Sequence, residues 1–348
     1  MTEDTSNAGD EPVTDADRLM GLVASAAISQ AMAVAAELGL ADLLADGPRM
    51  ADELARATGC HAPSLQRLMR ALASADLCEE REDGSFALTA MGALLGGHAG
   101  HGLRSWAIWW GKYRWPVWGK LRHSVATGES AVGIGGATVG MRQLHQDPAA
   151  AAVFHRAMSE RSRVVASAVV GACDFSGTKR LVDVGGGYGE MLAAILLAYP
   201  AMQGVLFDQA HAMDGARQHL ARAGVIDRCE LVPGDFFESV PGGADAYLLK
   251  TVIHDWNDEQ SALILRNCRT AMAPRSKLML VEQVMPERMT ASPAHLRAAV
   301  HDLNMLVMLG GRERTASEFR NLLAAVGLLL TGITRTALDF NVIEATAA

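Results

Sequence analysis

The stretch Leu181–Gly189, LVDVGGGYG, sets a short apolar run directly before a glycine-rich turn. Gly185, Gly187 and Gly189 let the backbone turn tightly and approach a ligand without side-chain interference. Glu190 to Tyr199 then reads as a helix, whose first turn offers free N–H groups and the positive end of its dipole. Strand, turn and helix in this order form the opening unit of a nucleotide-binding parallel sheet. The turn alone leaves the nucleotide open.

Downstream the pattern keeps alternating. Strands are expected at Arg180–Val184, Gln203–Phe207, Cys229–Pro233, Ala244–Leu249 and Lys277–Glu282. Helices are expected at Ala212–Ala223 and Asp258–Met272, and after helix Thr315–Val326 the segment Ile333–Ile343 supplies a closing antiparallel pair. This alternation specifies an α/β, doubly wound, mostly parallel Rossmann-like sheet over 176–348.

Upstream the texture differs. Residues Ala16 to Leu44 read as two apolar helices broken at Gly39. Met50–Thr58, Ser64–Ala75 and two short strands around Asp83-Gly84 make helix, turn, helix and wing, so 15–98 is expected to be a winged-helix-like dimerisation domain. The second helix offers only Arg67 and Arg70 as cations, and the formal charge is −8. Both disfavour a nucleic-acid regulator and leave a packing or dimerisation module. Residues 99–175 read as a helical linker and pocket segment, with five tryptophans between Trp106 and Trp118 that are either core or a pocket or subunit wall, then a glycine-rich run from Gly128 to Gly140. A long helix, Ala149–Ala172, follows and carries Phe154 and Met158. Residues 1–14 are an acidic tail, expected to be disordered, which is the reverse of a secretory signal. Gly21–Ala45 carries polar interruptions and reads as packed helices, not a membrane span. Five scattered cysteines fit reduced thiols of a cytoplasmic protein, with no metal-type spacing.

Three acids refine the nucleotide. Asp183 stands inside the first strand, where it would oppose a pyrophosphate but suits a cationic amino-acid group. Asp208 closes the second strand and can accept both ribose hydroxyls. Asp235, in Gly234-Asp235-Phe236, is placed for an adenine amino group with Phe236 against the ring. A dinucleotide fingerprint would want glycine where Glu190 stands, which disfavours a dehydrogenase. Adenosine without pyrophosphate fits better.

The fourth strand delivers Lys250 and then Thr251-Val252-Ile253-His254-Asp255-Trp256 at the carboxyl edge of the sheet, where ligands bind. His254 is either a base for a hydroxyl proton or a structural hydrogen-bonder. Glu282, ending the fifth strand, and Glu313 could each accept from its far nitrogen.

At this point the chain resembles the plant caffeic-acid-type O-methyltransferases and their bacterial antibiotic-pathway relatives. The resemblance runs through LVDVGGGYG, the LFD ending at Asp208, GDFF, LLKTVIHDW, LVEQVMP and GGRERTASEF, and through FHRAMS at Phe154–Ser159. One departure is Phe207-Asp208-Gln209-Ala210, where family members often read FDLP. The resemblance implies a homodimer, S-adenosyl-L-methionine as methyl donor and no metal, while the charge and the interrupted apolar stretches leave no nucleic-acid or membrane partner expected. It also implies His254 as base flanked by Glu282 and Glu313, and cofactor contacts from Gly185, Asp208, Asp235, Phe236 and Lys250, to which the reading of the strand ends and turns adds Asp183, Gly187 and Gly234. The acceptor is expected to be a small aromatic or polyketide-type hydroxyl compound met by Trp106, Phe154, Met158, Asp255, Asn304 and Met308. The alternative is a cofactor-binding hydroxylase or pericyclase of the same fold, against which the retained His254, Glu282 and Glu313 speak.

Overall fold

A computed structural model describes residues 14–97, 102–134 and 147–348. The acidic tail before Thr14 and the second half of the glycine-rich run lie outside them. The chain divides into two compact units, Met1–Lys112 and Tyr113–Ala348.

The first unit opens with α1 (Asp15–Leu38), started by a capping box between Thr14 and Asp17 and ended by Gly39 at φ +67°. That left-handed residue is the break expected at this glycine. Next come α2 (Leu40–Leu44), α3 (Ala51–Thr58) and α4 (Ala62–Ser74), then β1 (Cys78–Glu80) and β2 (Phe86–Leu88), paired antiparallel. The hairpin turns where Asp83 accepts from the Ser85 amide and Gly84 takes φ +80°. Leu54, Leu65, Met69, Leu72 and Phe86 form the buried centre of this winged helix. Arg70 of α4 is committed to Glu80 of the wing at 2.9 Å, so it is not a spare cation for phosphate. After α5 (Ala90–Ala93) and α6 (Arg104–Ile108), the chain takes a π-helical turn, Trp109–Arg114. Arg104 of α6 donates to the Ala36 carbonyl at the end of α1 and pairs with Asp42 at 2.6 Å. α1 is long and apolar enough to cross a membrane by length and composition alone, although Ser25, Ser29, Gln30 and Glu37 interrupt it as expected, and little of it is buried within one chain. Leu19, Met20, Leu22 and Val23 face outward.

The second unit begins with α7 (Trp115–Trp118), α8 (Leu121–Thr127) and α9 (Pro148–Ala172), the last capped by Asp147. The alternating part follows as β3 (Arg180–Val184), α10 (Glu190–Ala198), β4 (Gln203–Asp208), α11 (Met213–Arg222), β5 (Cys229–Pro233), β6 (Ala246–Lys250), α12 (Asp258–Ala271) and β7 (Lys277–Glu282). A two-residue strand β8 (Val284–Met285) precedes α13 (Pro293–Leu309) and pairs with β9 (Arg314–Thr315), and α14 (Ala316–Ala324), β10 (Leu328–Arg335) and β11 (Asn341–Ala347) finish the unit. The sheet order is β10-β11-β7-β6-β3-β4-β5. Five strands run parallel, and β11 and β10 close one edge antiparallel.

Alternate residues of β3 enter opposite cores, which is why its strand reads as continuously apolar. Val182 and Val184 pack with Phe207, Leu249, Ile264 and Phe319 on one face, while Leu181 packs with Leu192, Leu206, Leu248 and Val169 on the other. Strand order reverses at β3, between β4 and β6. The crevice at a parallel sheet's carboxyl edge opens at such a point, so the turns after β3, β4 and β6 surround one place. Helix α13 is the element that the sequence does not announce. Its His301, Asp302 and Asn304 interrupt the apolar face that a helical periodicity would show.

Candidate active site

The turn after β3 folds as the glycines require. Gly185, Gly187 and Gly189 have φ of +70°, +59° and +84°, a region that favours glycine. A Cβ on Gly185 would come within 3.0 Å of Val252 and 3.6 Å of the Phe236 ring. Asp208 accepts from the Gly187 amide at 2.7 Å and from the Gln209 amide at 2.6 Å. Its carboxylate is thereby fixed with lone pairs to spare. Asp235 accepts from the Phe237 amide at 2.8 Å, so it holds its own turn. Phe236 meets Trp256 edge-on, and Gly234 leaves space that the Phe207 ring fills. Lys250 donates to Thr251 at 3.1 Å, with burial and the charge of Arg161 lowering its pKa.

Asp183 is the anomaly on this side. It is 1% exposed, and neither carboxylate oxygen finds a hydrogen-bond partner of good geometry among the described residues, although the Leu192 amide lies near. Burial pushes its pKa up to about 7, against the pull of Lys250. A buried, unsatisfied carboxylate is costly unless a ligand supplies its partner. The residues therefore fit a cofactor with a cationic group beside Asp183 and hydroxyls beside Asp208.

Facing this cradle, His254 sits in a one-turn 3₁₀ segment, Ile253–Asp255, just past β6. Its Nδ1 lies 2.8 Å from Glu313 Oε1 and 3.4 Å from Glu282 Oε2, and its Nε2 lies 3.3 Å from Asp255 Oδ1. Burial alone would lower the imidazole pKa, but Glu282, Glu313 and Asp255 together raise it to about 9. Glu282 is pushed up to about 7 by burial, although His254 pulls the other way. Burial would raise Glu313 too, yet the His254 charge and two imidazole hydrogen bonds hold it near 2.

The two glutamates are not equivalent, contrary to the symmetrical expectation. Glu313 takes the imidazole hydrogen bond. Glu282 spends Oε1 on the Val252 and Ile253 amides, at 3.1 and 2.9 Å, and thus holds the backbone that carries His254. Arg314 grips the same turn from below. It donates to the carbonyls of Ile253 and Trp256, to Ser261 and to Asp258, and is 1% exposed. Thr251 enters the turn at φ +52°, unfavourable for a β-branched residue and held only because its surroundings fix it. The Arg312 amide donates to the His254 carbonyl at 2.9 Å, over Gly311.

Other expected positions fall as follows. Asn304, on α13, accepts from the Trp118 indole at 3.2 Å, and its buried Nδ2 has no hydrogen-bond partner among the described residues. Met308 packs with Val117, Ala131 and Val307. Phe154 stacks edge-on to His155, which lies 5.1 Å from the Tyr188 ring of the glycine turn, and Met158 is half-buried one turn later. Trp106 belongs to the first unit, edge-on to Trp110. Two residues of the site were not expected from the sequence: His301, whose Nδ1 is 2.6 Å from Glu313 Oε1, and Arg161, 2.7 Å from His301 Nε2. A helical reading of 293–309 would have put His301 on the face of Asn304, three residues on. His254, His301 and Glu313 bring three donor atoms within 4.8 Å, a set of metal-binding type. Separations of 2.8 and 2.6 Å are those of hydrogen bonds, and Arg161 occupies the far nitrogen of His301, so the three are proton-linked.

A nucleoside cradle at the switch point of a doubly wound sheet, facing a carboxylate-flanked imidazole, defines a class: a group-transfer enzyme using a nucleoside cofactor. The chain belongs to the O-methyltransferase family, with residues 118–329 matching its O-methyltransferase domain and residues 20–96 its dimerisation domain. It is 42% identical to a phenazine O-methyltransferase of Lysobacter antibioticus over 99% of each chain. The crystal structure of LaPhzM superposes with a TM-score of 0.89 at 41% identity, covering 97% of this chain and 100% of that one. NcsB1, an O-methyltransferase from neocarzinostatin biosynthesis solved with S-adenosylmethionine and 2-hydroxy-5-methyl naphthoic acid, matches at 31% identity and TM-score 0.76 over 92% of this chain and 96% of that one. The protein is an S-adenosylmethionine-dependent O-methyltransferase.

Gly311 gives a direct test of the rigid turn. A Cβ there would lie 2.1 Å from the His254 carbonyl oxygen and 2.7 Å from the Asp255 carbonyl carbon. Gly311→Ala must displace the turn by a large fraction of an ångström, which is expected to cost about 100-fold in turnover. Steady-state kinetics on the folded variant check this, and near-normal turnover would show that the turn is free to move.

Proposed function

We propose that the protein methylates a phenolic hydroxyl of a small aromatic or polyketide-type metabolite, with His254 Nε2 as the base. The observation that carries this is the 2.8 Å contact between His254 Nδ1 and Glu313 Oε1. An ionised carboxylate only accepts, so Nδ1 carries the proton and Nε2 is left for the acceptor. When bound, S-adenosylmethionine supplies a methyl group already activated on a sulfonium. The protein then has to align the acceptor oxygen, exclude water and take one proton. A phenol titrates near 10, and the carboxylates around His254 bring the imidazole pKa close to that value.

Asp183 takes the cationic amino-acid end of the cofactor, Asp208 the ribose, and Asp235 with Phe236 the adenine. Gly185 and Gly187 leave room for it, Gly234 lets the Phe207 ring pack under the adenine turn, and Lys250 offsets the charge of Asp183. On the acceptor side, Asn304 offers its unused amide and Asp255 lies against Nε2, with Phe154, Met158 and Met308 as apolar walls. The phenazine and naphthoate relatives named above support a planar aromatic acceptor, and their setting supports a role in antibiotic biosynthesis. The five free thiols fit a reducing, cytoplasmic setting. The outward apolar face of α1, within the matched dimerisation domain, supports a homodimer in which a second copy covers Leu19, Met20, Leu22 and Val23.

With His254 as base, His254→Ala is expected to lower turnover of a neutral phenol by about 100- to 10,000-fold, and much less for a nitrophenol already ionised at assay pH. Equal losses on the two acceptors would remove His254 as base. Because the base must be unprotonated and its pKa is raised, the acid limb of kcat/KM should lie above 6.5, toward 9, and a limb at or below 6.5 would contradict the electrostatics.

Cofactor affinity should rise with pH up to about 7, since a protonated Asp183 cannot pair with a cation. Asp183→Asn should flatten that dependence and weaken binding by about 1.5–3 kcal/mol. Calorimetry at pH 5.5 and 7.5 decides it: an unchanged profile would sink the Asp183 assignment.

Light scattering at micromolar concentration should give twice the chain mass, and Leu22→Glu with Val23→Glu should shift it toward one. A fully active monomer would rule out the dimer.

A further inference from the structure

Arg161 and His301 lie outside the stretches quoted above for the family resemblance, yet they join the catalytic imidazole in one continuous chain of hydrogen bonds. The Arg161 guanidinium, from α9, reaches His301 Nε2 at 2.7 Å, and its carbon sits 5.0 Å from the centre of the Phe340 ring. His301 Nδ1, from α13, reaches Glu313 Oε1 at 2.6 Å. That same oxygen faces His254 Nδ1 at 2.8 Å.

The chain admits one placement of protons. Guanidinium has donors and no acceptor, so His301 Nε2 must accept from it. His301 then carries its proton on Nδ1 and donates to Glu313. An ionised Glu313 has no proton to give, so His254 Nδ1 must also donate to it. In its neutral form each ring is fixed in one tautomer, and of the two only His254, once deprotonated, turns a lone pair away from the chain, on Nε2, 3.3 Å from Asp255 Oδ1.

We propose that Arg161 and His301 are positioning residues for the methyl transfer, which, through Glu313, keep His254 in the tautomer that leaves Nε2 bare. The inference rests on His254 being the base. His301 is suited to the task because burial, together with the nearby Arg161 charge, lowers its pKa to about 4, so it stays neutral over the working range. A doubly protonated His301 could not accept from Arg161, and the chain would break there.

The charges around the two rings set the sign of the effect. His254 is faced by Glu282 from β7, Glu313 from the loop before β9, Asp255 from its own turn, and His301 from α13. Lys250 and Arg161 act on Asp255 in turn. His301 is faced by Arg161, Glu313 and His254, and at longer range by Asp339, itself paired with Arg297. The His301 bond and the Arg161 charge both draw negative charge on Glu313 away from His254. Removing either leaves a more strongly negative Glu313 beside the imidazole, raises the pKa of His254, and moves the acid limb of the rate to higher pH.

The test compares His301→Ala, His301→Asn and Arg161→Met in the full-length enzyme with S-adenosylmethionine, on a neutral phenol and on a pre-ionised nitrophenol. His301→Ala should lower kcat for the neutral phenol about tenfold, a usual loss when a group that orients a functional residue is removed. Its acid limb should rise by about half a pH unit, while turnover of the ionised acceptor changes little. His301→Asn, whose amide N–H can replace the Nδ1 donor, should recover most of the loss, and Arg161→Met should shift the limb in the same direction as His301→Ala. A packing role predicts equal losses on both acceptors with the limb unmoved, which would overturn the proposal. Should the variants misfold, nitrogen NMR of the wild-type imidazoles decides between the two roles. A neutral His301 protonated on Nδ1 at pH 7 supports the chain, and the opposite tautomer or a doubly protonated ring overturns it. If His254→Ala itself fails to distinguish the two acceptors, the base reading falls and this inference with it. If His254→Ala distinguishes them and His301→Ala does not, only the inference falls.

Discussion

The guanidinium of Arg314 under the Ile253–Asp255 turn is the contact on which the geometry of the site depends. Burying an arginine is expensive, and an ion pair alone seldom repays the desolvation. Here Asp258 takes two of its N–H groups and the carbonyls of Ile253 and Trp256 take others, so the cost is met by several charge-assisted bonds at once. These bonds converge on backbone atoms of a turn that also contains a strained Thr251. Glu282 holds the same turn from the sheet side through two amides. A short loop clamped from two sides behaves as part of the sheet, and His254 inherits that rigidity.

The second organising feature is an excess of buried acid. Asp183, Glu282, Glu313 and Asp255 all lie near the carboxyl edge of the sheet, and all but Glu313 have pKa values displaced upward, chiefly by burial. Such a concentration is unfavourable in the protein by itself. It becomes favourable once a cation arrives, and the sulfonium cofactor brings one. Arg161, Arg114 and Lys250 lie within electrostatic reach of these acids and limit the cost, and each has its own pKa lowered by burial. The site is thus charged in advance for the species it has to stabilise.

Much of this was legible in the sequence because it rests on local rules. The glycines of LVDVGGGYG, the apolar runs of β3 to β7 and the left-handed Gly39 each declare themselves within a few residues. Asp183 and Asp208 could be placed because strand ends are easy to find, and His254 because it follows one. What escaped was set by distance in the chain. The unequal duties of Glu282 and Glu313 depend on which backbone amides approach them, and no spacing reveals that. His301 lies on a helix whose polar residues point inward, so the usual apolar periodicity is absent. Arg161 sits in a helix whose expected contacts were Phe154 and Met158, and it meets His301 only across 140 positions of sequence.

The placement of β11 has a bearing on biosynthesis. Strand β7, which ends in Glu282, lies between β6 and β11, and Asn341 pairs directly with Glu282. While the ribosome is still making the segment between them, β7 is an unprotected sheet edge, the kind of surface that recruits foreign strands. The acid that holds the catalytic turn therefore gains its last neighbour only when residues 341–347 have emerged. A chain stopped before residue 341 lacks the strand that flanks β7 and Glu282 on that side. The sheet is thus closed on the Glu282 side only by the last residues to be synthesised.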